Sequence, residues 1–216
     1  MRAVLVAAGE PDLGDERWLD LADLLVAVDG GANWIERQGR LPHALVGDLD
    51  SVEPALLRRY EAAGVEIERH PSEKDHSDAE LAQNFARRRG ADEMVMLGAF
   101  GGPRIDHQVA NVLLLCADGS GGMTLVCGPT RLAAIRGGET REITAPPGTL
   151  VSLFPVAGDA NGVTTAGLRY ALSNDLLRMG SSRGLSNVVE SAPASVRLEA
   201  GMLLLVEQLE EGEMHP

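Results

Sequence analysis

"LLVAVDGG", residues 24–31, runs apolar for five positions without alternation and then stops at a carboxylate and two glycines. A strand with one solvated face alternates apolar and polar residues. An unbroken run of this length, bounded by Gly, is the pattern of a strand buried on both faces. The same shape recurs on either side of it. "AVLVAA" (3–8) ends at Gly9 and "ALVGDLD" (44–50) ends in two aspartates. "VEIERH" (65–70), "EMVMLGAFGG" (93–102) and "MTLVCG" (123–128) follow. Between them lie helical patterns. "PALLRRYEAAG" (54–64) opens on Pro and closes on Gly, the usual helix asymmetry. In "HSDAELAQNFARRRG" (76–90), Ser77 and Glu80 have capping-box spacing, Leu81, Phe85 and Arg88 share a face, and Gly90 stops the helix. "DHQVANVLLLCADG" (106–119) is the third. Strands alternating with helices predict a mostly parallel, doubly wound α/β sheet.

Beyond about residue 130 the texture changes. "TREITAPPGTLVSLFPVAGDANGVTTAGLRYALSND" is rich in Gly, Pro and Thr and has no helical period. "SVRLEAGMLLLVEQ" (195–208) reads as two strands around Gly201, and "LSNDLLRMG" as a short helical turn. Short strands spaced by turn residues predict a small all-β sandwich or barrel. The expected organisation is an α/β domain over 1–130 and a β-sandwich over 131–216, with disorder confined to the last few residues.

The bulk numbers narrow the partners. The chain has 216 residues, 44% of them hydrophobic and only 3% aromatic, and its 32 acidic against 19 basic residues give a net charge of −13. Such a surface repels nucleic acid and anionic membrane, so neither is an expected partner. No apolar run approaches the ~18 residues of a membrane helix, and "MRAVLVAAGEPD" lacks a signal-peptide core. Cys116 and Cys127 sit in apolar stretches without metal-site spacing. They read as free thiols in a reducing, cytoplasmic setting.

In open α/β sheets ligands bind beyond the carboxyl ends of the strands. Asp29 ends one predicted strand, Asp48 and Asp50 end the next, and Asp78 opens a helix just after Lys74 in "EKDHSDAE". Four carboxylates on one rim raise each other's pKa and destabilise the fold. Hard oxygen donors in a compact group are what Mg²⁺ takes, and that ion bridges carboxylates to phosphate oxygens. The bland alternative for each Asp is ordinary turn chemistry. Gly30, Gly31, Gly98, Gly101 and Gly102 let backbone N–H groups approach a phosphate, although neither GxGxxG nor a Walker loop is present. Lys74 is the lone lysine among the 19 basic residues. It is either a compact phosphate contact or a surface remnant. Arg104 and Asp106 pair phosphate and substrate roles, or Asp106 is a simple N-cap. His70, His76 and His107 open a rival reading, a Mn²⁺ or Zn²⁺ phosphoesterase.

Taken in order, "AVDGGANWI", "VGDLDSV", "EKDHSDAELA", "GAFGGPRIDHQVANV", "VSLFPV", "GLRYAL" and "GLSN" resemble the successive blocks of the thiamine pyrophosphokinase (thiamine diphosphokinase) family. The resemblance runs from about residue 24 to 206. It implies an ATP/Mg-binding α/β catalytic domain, a thiamine-binding β-sandwich, and a homodimer whose substrate site lies between subunits. The implied reaction is ATP plus thiamine giving AMP plus thiamine diphosphate. A hydroxymethylpterin or another alcohol is the alternative acceptor. By similarity the Mg²⁺ ligands fall on Asp29, Asp48, Asp50 and Asp78. The ATP contacts fall on Gly30, Gly31, Asn33, Lys74, Ser77, Gly101, Gly102 and Arg104. Asp106 and, from the sandwich of the partner subunit, Ser186 and Asn187 fall to thiamine, and Asp48, Asp50, Asp78 and Lys74 to catalysis. Two departures stand out. Ala171 replaces a Pro common in bacterial relatives, and "VVESAP" after "GLSN" has no aromatic to stack on thiamine.

Overall fold

The six apolar runs of the first half are all strands in the computed structural model, which describes residues 1–119 and 122–209. They are β1 (Arg2–Val6), β2 (Leu24–Val28), β3 (Ala44–Gly47), β4 (Glu66–Arg69), β5 (Glu93–Leu97) and β6 (Met123–Cys127). Their order is β6-β5-β1-β2-β3-β4, and every pairing among them is parallel. All five residues of β2 and all four of β3 are buried, as an unbroken apolar run requires. The edge strand β4 carries Glu66, Glu68 and Arg69 instead, and charge on an edge discourages further pairing.

The helices follow the sequence with small shifts. α2 (Pro54–Ala63) starts on its Pro, and Gly64 takes a left-handed conformation at its end. In α3 (Asp78–Arg88), Ser77 Oγ accepts the Glu80 N–H at 3.2 Å. The Glu80 carboxylate meets His76 instead of closing the box. The buried face of α3 is Ala79, Ala82, Gln83, Phe85 and Ala86. Leu81 is only half-buried, and Arg88 reaches out to both Glu68 oxygens at 2.8 and 2.7 Å. The expected Leu81–Phe85–Arg88 face is therefore rotated, because Arg88 finds its counter-ion on β4. α4 covers Ile105–Ala117.

Two elements escaped the sequence reading. A 3₁₀ helix (Asp15–Leu21) buries Trp18 and Leu19, and α1 (Gly31–Arg37) buries Trp34 and Ile35. The strand expected to end at Asp29 stops at Val28 because Asp29 turns left-handed, with φ 44°, and the two glycines open α1. Gly31 tolerates no side chain, since a Cβ there would fall 1.8 Å from the Val6 carbonyl oxygen.

The chain forms two compact units. One comprises residues 1–114 and 122–128, and the other the remaining described residues. The second unit is β-rich. Its strands are β7 (Thr130–Arg136), β8 (Thr140–Ile143), β9 (Leu150–Pro155), β10 (Ala160–Ala166), β11 (Asp175–Leu177), β12 (Asn187–Val188), β13 (Ala194–Arg197) and β14 (Met202–Gln208). They pair antiparallel in the orders β12-β9-β14-β7 and β11-β10-β13-β8. Both sets feed one apolar cluster, with Ile135, Val151, Leu153, Leu203 and Leu205 from the first and Ile143, Val163, Leu177, Ala194 and Val196 from the second. The two strands expected around Gly201 are β13 and β14. The helical turn expected in "LSNDLLRMG" is instead strand β11, whose Leu177 side chain joins this core. The last residues of the chain, read as a disordered end, lie outside the described residues. No helix of the described residues is long and apolar enough to cross a membrane.

Candidate active site

Strand order reverses at β1. The chain winds outward through β2, β3 and β4, then returns to place β5 on the other side of β1. Beyond the carboxyl ends of β1 and β5 the following loops diverge, and a crevice opens there in folds of this kind. A cleft occupies this position. Ala7–Gly9 after β1, Asp29 after β2, Gly98 and Ala99 after β5, Ser77 and Asp78 at the start of α3, and Arg104 and His107 at the start of α4 all line it.

Asp29 and Asp78, which line it, converge with Asp48. Asp29, Asp48 and Asp78 each offer a carboxylate oxygen, and these oxygens lie within 4.8 Å of one another. Gly47 makes the approach possible. It sits at φ 149°, where a Cβ would come within 3.0 Å of Asp29 Cβ and 3.2 Å of Asp78 Oδ1. Leu49 then adopts φ 68°, rare for a bulky residue, and buries its side chain. That kink separates the two acids of "DLD". Asp48 turns inward, while Asp50 stays exposed with Oδ1 accepting the Ser51 hydroxyl at 2.8 Å. The expected fourth acid, Asp50, therefore stands outside the cluster.

Lys74 enters the group from above, with Nζ 3.3 Å from Asp48 Oδ2 and 3.0 Å from Asp78 Oδ1. Its side chain is only 12% exposed, so the lone lysine is a fixed counter-ion and no surface remnant. Burial pulls its pKa down, but bonds to Asp78 and Asp48 outweigh that and hold the ammonium firmly charged. At Asp48 burial likewise opposes ionisation. The Asp50 N–H, Lys74 and the Ser72 hydroxyl prevail and keep its pKa below the ordinary carboxylate value. Asp29 differs. Burial raises its pKa, the charges of Asp78 and Asp48 add to the rise, and bonds from Ser51 and the Gly30 N–H offset it only in part. Asp29 Oδ1 is buried without a hydrogen-bond partner, and the Asp78 Oδ1 contact to Lys74 is an ion pair without hydrogen-bond alignment. An unpartnered buried oxygen such as Asp29 Oδ1 is costly in a folded protein, and a divalent cation satisfies it. The three carboxylate donors, with one ammonium beside them, fit a hard cation of charge +2.

Among the other expected contacts, Ser77, Gly101 and Arg104 line the cleft. Gly30, Gly31 and Asn33 sit at the start of α1 beside Asp29, where Asn33 Nδ2 donates to the Ser51 carbonyl and its Oδ1 has no hydrogen-bond partner. Gly102 follows Gly101 in the same loop. Arg104 and Asp106 form a two-point ion pair at 2.9 and 2.7 Å on the exposed start of α4. Helix α4 begins one residue before Asp106, so Asp106 is no N-cap. Its pairing with Arg104 holds its carboxyl far below the usual range. His70 and His76 bond to Glu68 and Glu80. None of the three histidines joins the aspartate group, which leaves the phosphoesterase reading without support.

Several wall residues were not legible in advance. Gln108 Nε2 donates to the carbonyls of Gly101 and Gly102 at 3.2 and 3.4 Å, and Asn111 Nδ2 donates to Ala99 at 2.8 Å. These two amides, three apart on one face of α4, pin the glycine loop. Their helical spacing after a Gly-rich stretch was the available signal. In the second unit, Asn187 is 7% exposed, and its amide is spent on Tyr170 and Val188 backbone groups. Ser186 stays exposed at φ 58°, its N–H donating to Ser152 Oγ.

A sequence model of the thiamin pyrophosphokinase catalytic domain matches residues 16–125, just over half of the chain. The chain belongs to the thiamine pyrophosphokinase family. A second model, of that family's vitamin B1 binding domain, matches residues 140–203. Thiamine pyrophosphokinase from Bacillus subtilis is 26% identical over 213 residues, covering 95% of this chain and 98% of that one. Thiamine pyrophosphokinase 2 of Oryza sativa subsp. japonica is also 26% identical, covering 84% and 77%. The fold agrees with the crystal structure of thiamin pyrophosphokinase from Geobacillus thermodenitrificans, with a TM-score of 0.85 at 24% identity over 99% and 100% of the two chains. As a member of this family the protein is an ATP-dependent diphosphotransferase.

Proposed function

We propose that the protein transfers the diphosphoryl group of Mg-ATP to the hydroxyethyl alcohol of thiamine, and that the aspartate cluster is its metal site. The observation that carries the reading is the convergence of Asp29, Asp48 and Asp78 on one point beside Lys74, at the strand-order reversal of a parallel sheet. Three carboxylates and one ammonium leave a local charge of about −2 when all are ionised, which one Mg²⁺ balances. Bound there, Mg²⁺ would supply charge neutralisation for the triphosphate. Asp29, Asp48 and Asp78 would hold it, and Asp50 stays on the exposed turn.

The residues of the chain do the rest. Lys74 is poised to exchange part of its pairing with Asp48 and Asp78 for a phosphate oxygen. Ser77, the Gly101–Gly102 loop and Arg104 contact the phosphates, and Gly30, Gly31 and Asn33 frame the metal side of the nucleotide. The alcohol oxygen of thiamine forms a bond to the β-phosphorus and releases its proton to solvent, the bond from that phosphorus to the α–β bridging oxygen breaks, and AMP leaves with the bridging oxygen. Such transfers are accelerated mainly by alignment and charge compensation. Gln108 and Asn111 serve alignment by fixing the loop. Asp106 and Ser186 are assigned to thiamine, and Asn187 acts by holding the backbone of Tyr170 and Val188.

The wider organisation belongs to the same proposal. Residues 1–130 form a doubly wound ATP/Mg domain, and residues 131–216 a β-sandwich that binds thiamine. The enzyme works as a homodimer whose partner subunit completes the substrate site. We place it in the cytoplasm, where free Cys116 and Cys127 stay reduced. The test is AMP release from Mg-ATP with thiamine as the acceptor. AMP formed only with thiamine supports the reading. AMP formed only with a hydroxymethylpterin, or none with any alcohol, overturns it.

A further inference from the structure

A proton has to leave the acceptor alcohol, and the cleft offers few groups free to take it. Asp106 is spent on Arg104, whose guanidinium donates to both of its oxygens at 2.9 and 2.7 Å and holds its carboxyl far below the usual range. Such a carboxylate is a weak base. Asp29 and Asp78 line the cleft, but their oxygens are committed to the cluster that would hold Mg²⁺, and Asp78 is also paired with Lys74. Arg104 stays protonated. His107 is the remaining titratable side chain of the wall. Three of the four histidines among the described residues are engaged. His43 Nδ1 accepts the Leu25 N–H at 2.8 Å, and His70 and His76 meet Glu68 and Glu80, each at 2.9 Å. Among the described residues the ring of His107 has no hydrogen-bond or ion-pair partner. The helix that carries it is nonetheless fixed. His107 sits in the first turn of α4, beside Gln108, whose amide donates to the Gly101 and Gly102 carbonyls, and one turn before Asn111, which donates to the Ala99 carbonyl.

We propose that His107 is the general base of the transfer, a catalytic role that rests on the thiamine reading above. A neutral imidazole offers one lone-pair nitrogen. It is the side chain that changes charge nearest neutral pH, where a base is most effective. As the alcohol oxygen forms its bond to the β-phosphorus, the O–H proton passes to the free ring nitrogen of His107 and an imidazolium forms. The bond from that phosphorus to the bridging oxygen breaks, and AMP leaves with that oxygen. The imidazolium then gives its proton to solvent, which the exposed ring reaches. The charged groups about the ring are Arg104 and Asp106 on its own helix, Asp29 and Asp78 lining the same cleft, and Lys74 beside Asp78. The first two cancel each other, and the cluster's charge is the one Mg²⁺ would balance, so no uncompensated cation opposes protonation of the ring. Phosphoryl transfer asks little of a base, which puts the contribution at the low end of the usual range, about 10²-fold.

Single-turnover AMP formation tests this, with the full-length enzyme saturated in Mg-ATP and thiamine across about pH 5 to 8. Wild type should slow toward acid as the imidazole protonates. His107→Gln keeps a polar side chain of similar size but takes no proton. It should be about 10²-fold slower at the upper end of the range and should lack the acid limb, with the melting temperature and the affinity for Mg-ATP unchanged. Asp106→Asn should keep an acid limb, since that carboxylate is not the base. A His107→Gln rate equal to wild type overturns the proposal. So does a rate lowered by one factor at every pH, which marks a positioning residue and not a base. A limb that vanishes in Asp106→Asn and survives in His107→Gln gives the role to Asp106 and overturns it as well. Wild-type enzyme that forms no AMP with thiamine at any pH defeats the thiamine reading, and this proposal falls with it. Thiamine-dependent AMP formation with an unchanged pH profile in His107→Gln defeats the proposal alone.

Discussion

At the scale of single residues, the site is a balance between like charges and one cation. Asp48 contributes a carboxylate held ionised by Lys74 and the Asp50 N–H. Asp48→Asn keeps the shape, removes one negative charge and replaces an oxygen proposed to hold Mg²⁺. Turnover should fall by at least ~10²-fold, the scale of one lost preorganised charge contact. The melting temperature should barely move, because mutual repulsion with Asp29 and Asp78 is relieved as the Lys74 pair is lost. Activity at wild-type level would remove Asp48 from the metal site. Lys74→Ala leaves three carboxylates without their built-in counter-ion, and its main effect should be a KM for ATP raised by about tenfold, the scale of a charge-assisted hydrogen bond. Titrating ATP at saturating thiamine measures this, and an unchanged KM would confine Lys74 to a structural ion pair. The sequence exposed these two residues because both are chemically unusual in place: paired acids at an apolar run's end, and the only lysine. It hid Gln108 and Asn111, because an amide on a helix looks the same whether it faces water or pins a loop.

At the scale of elements, the strands were legible and the short helices were not. Unbroken apolar runs such as Leu24–Val28 leave little alternative to a two-sided buried strand. The 3₁₀ helix over Asp15–Leu21 and the seven-residue α1 are too short to display a period. They exist because Trp18, Leu19, Trp34 and Ile35 are captured by the core, a tertiary effect. β11 makes the same point, since its Leu177 is pulled into the second unit's cluster against a local preference for a turn. Within that unit β14 is the central strand, pairing with β7 on one side and β9 on the other. Leu205 at its middle is 0% exposed. Leu205→Ala should cost about 2–5 kcal/mol, the range for a buried Leu whose cavity cannot collapse. Urea denaturation followed by circular dichroism measures it, and a loss under about 1 kcal/mol would mean the site is far looser than its burial implies.

At the scale of the whole molecule, charge sets the response to acid. The net charge of −13 falls in magnitude as carboxylates protonate, yet the carboxylates engaged in ion pairs resist. Glu68 is one. Burial raises its pKa, but bonds from Arg88 and His70 outweigh this and hold it below its ordinary value of 4.5. A carboxyl with a lower pKa folded than unfolded contributes stability that is complete above the unfolded value and disappears as the pH falls through the folded one. Glu68→Gln should therefore lower the melting temperature at pH 7 by about 2–4 °C, corresponding to at most ~1 kcal/mol for a partly exposed pair. The gap should close well below pH 4.5, which thermal melts across pH will resolve. A gap that persists unchanged at low pH would assign the loss to packing of the Glu68 stem and not to its charge.

The sequence by itself determined the alternation of buried strands and helices in the first unit, the β-rich character of the second, and the acids available at the strand ends. These follow from local pattern, because hydrophobic periodicity and Gly or Pro punctuation act over a few residues. Only the tertiary structure decided which acids meet. Asp48 and Asp50 are equivalent in the chain, and the left-handed turn at Leu49 sends one into the cluster and leaves the other outside. It also decided that Asn187 grips Tyr170 from seventeen residues away. Carboxylate separation and amide partnership are set by distances across the fold, and those are fixed by packing that no local stretch of sequence contains.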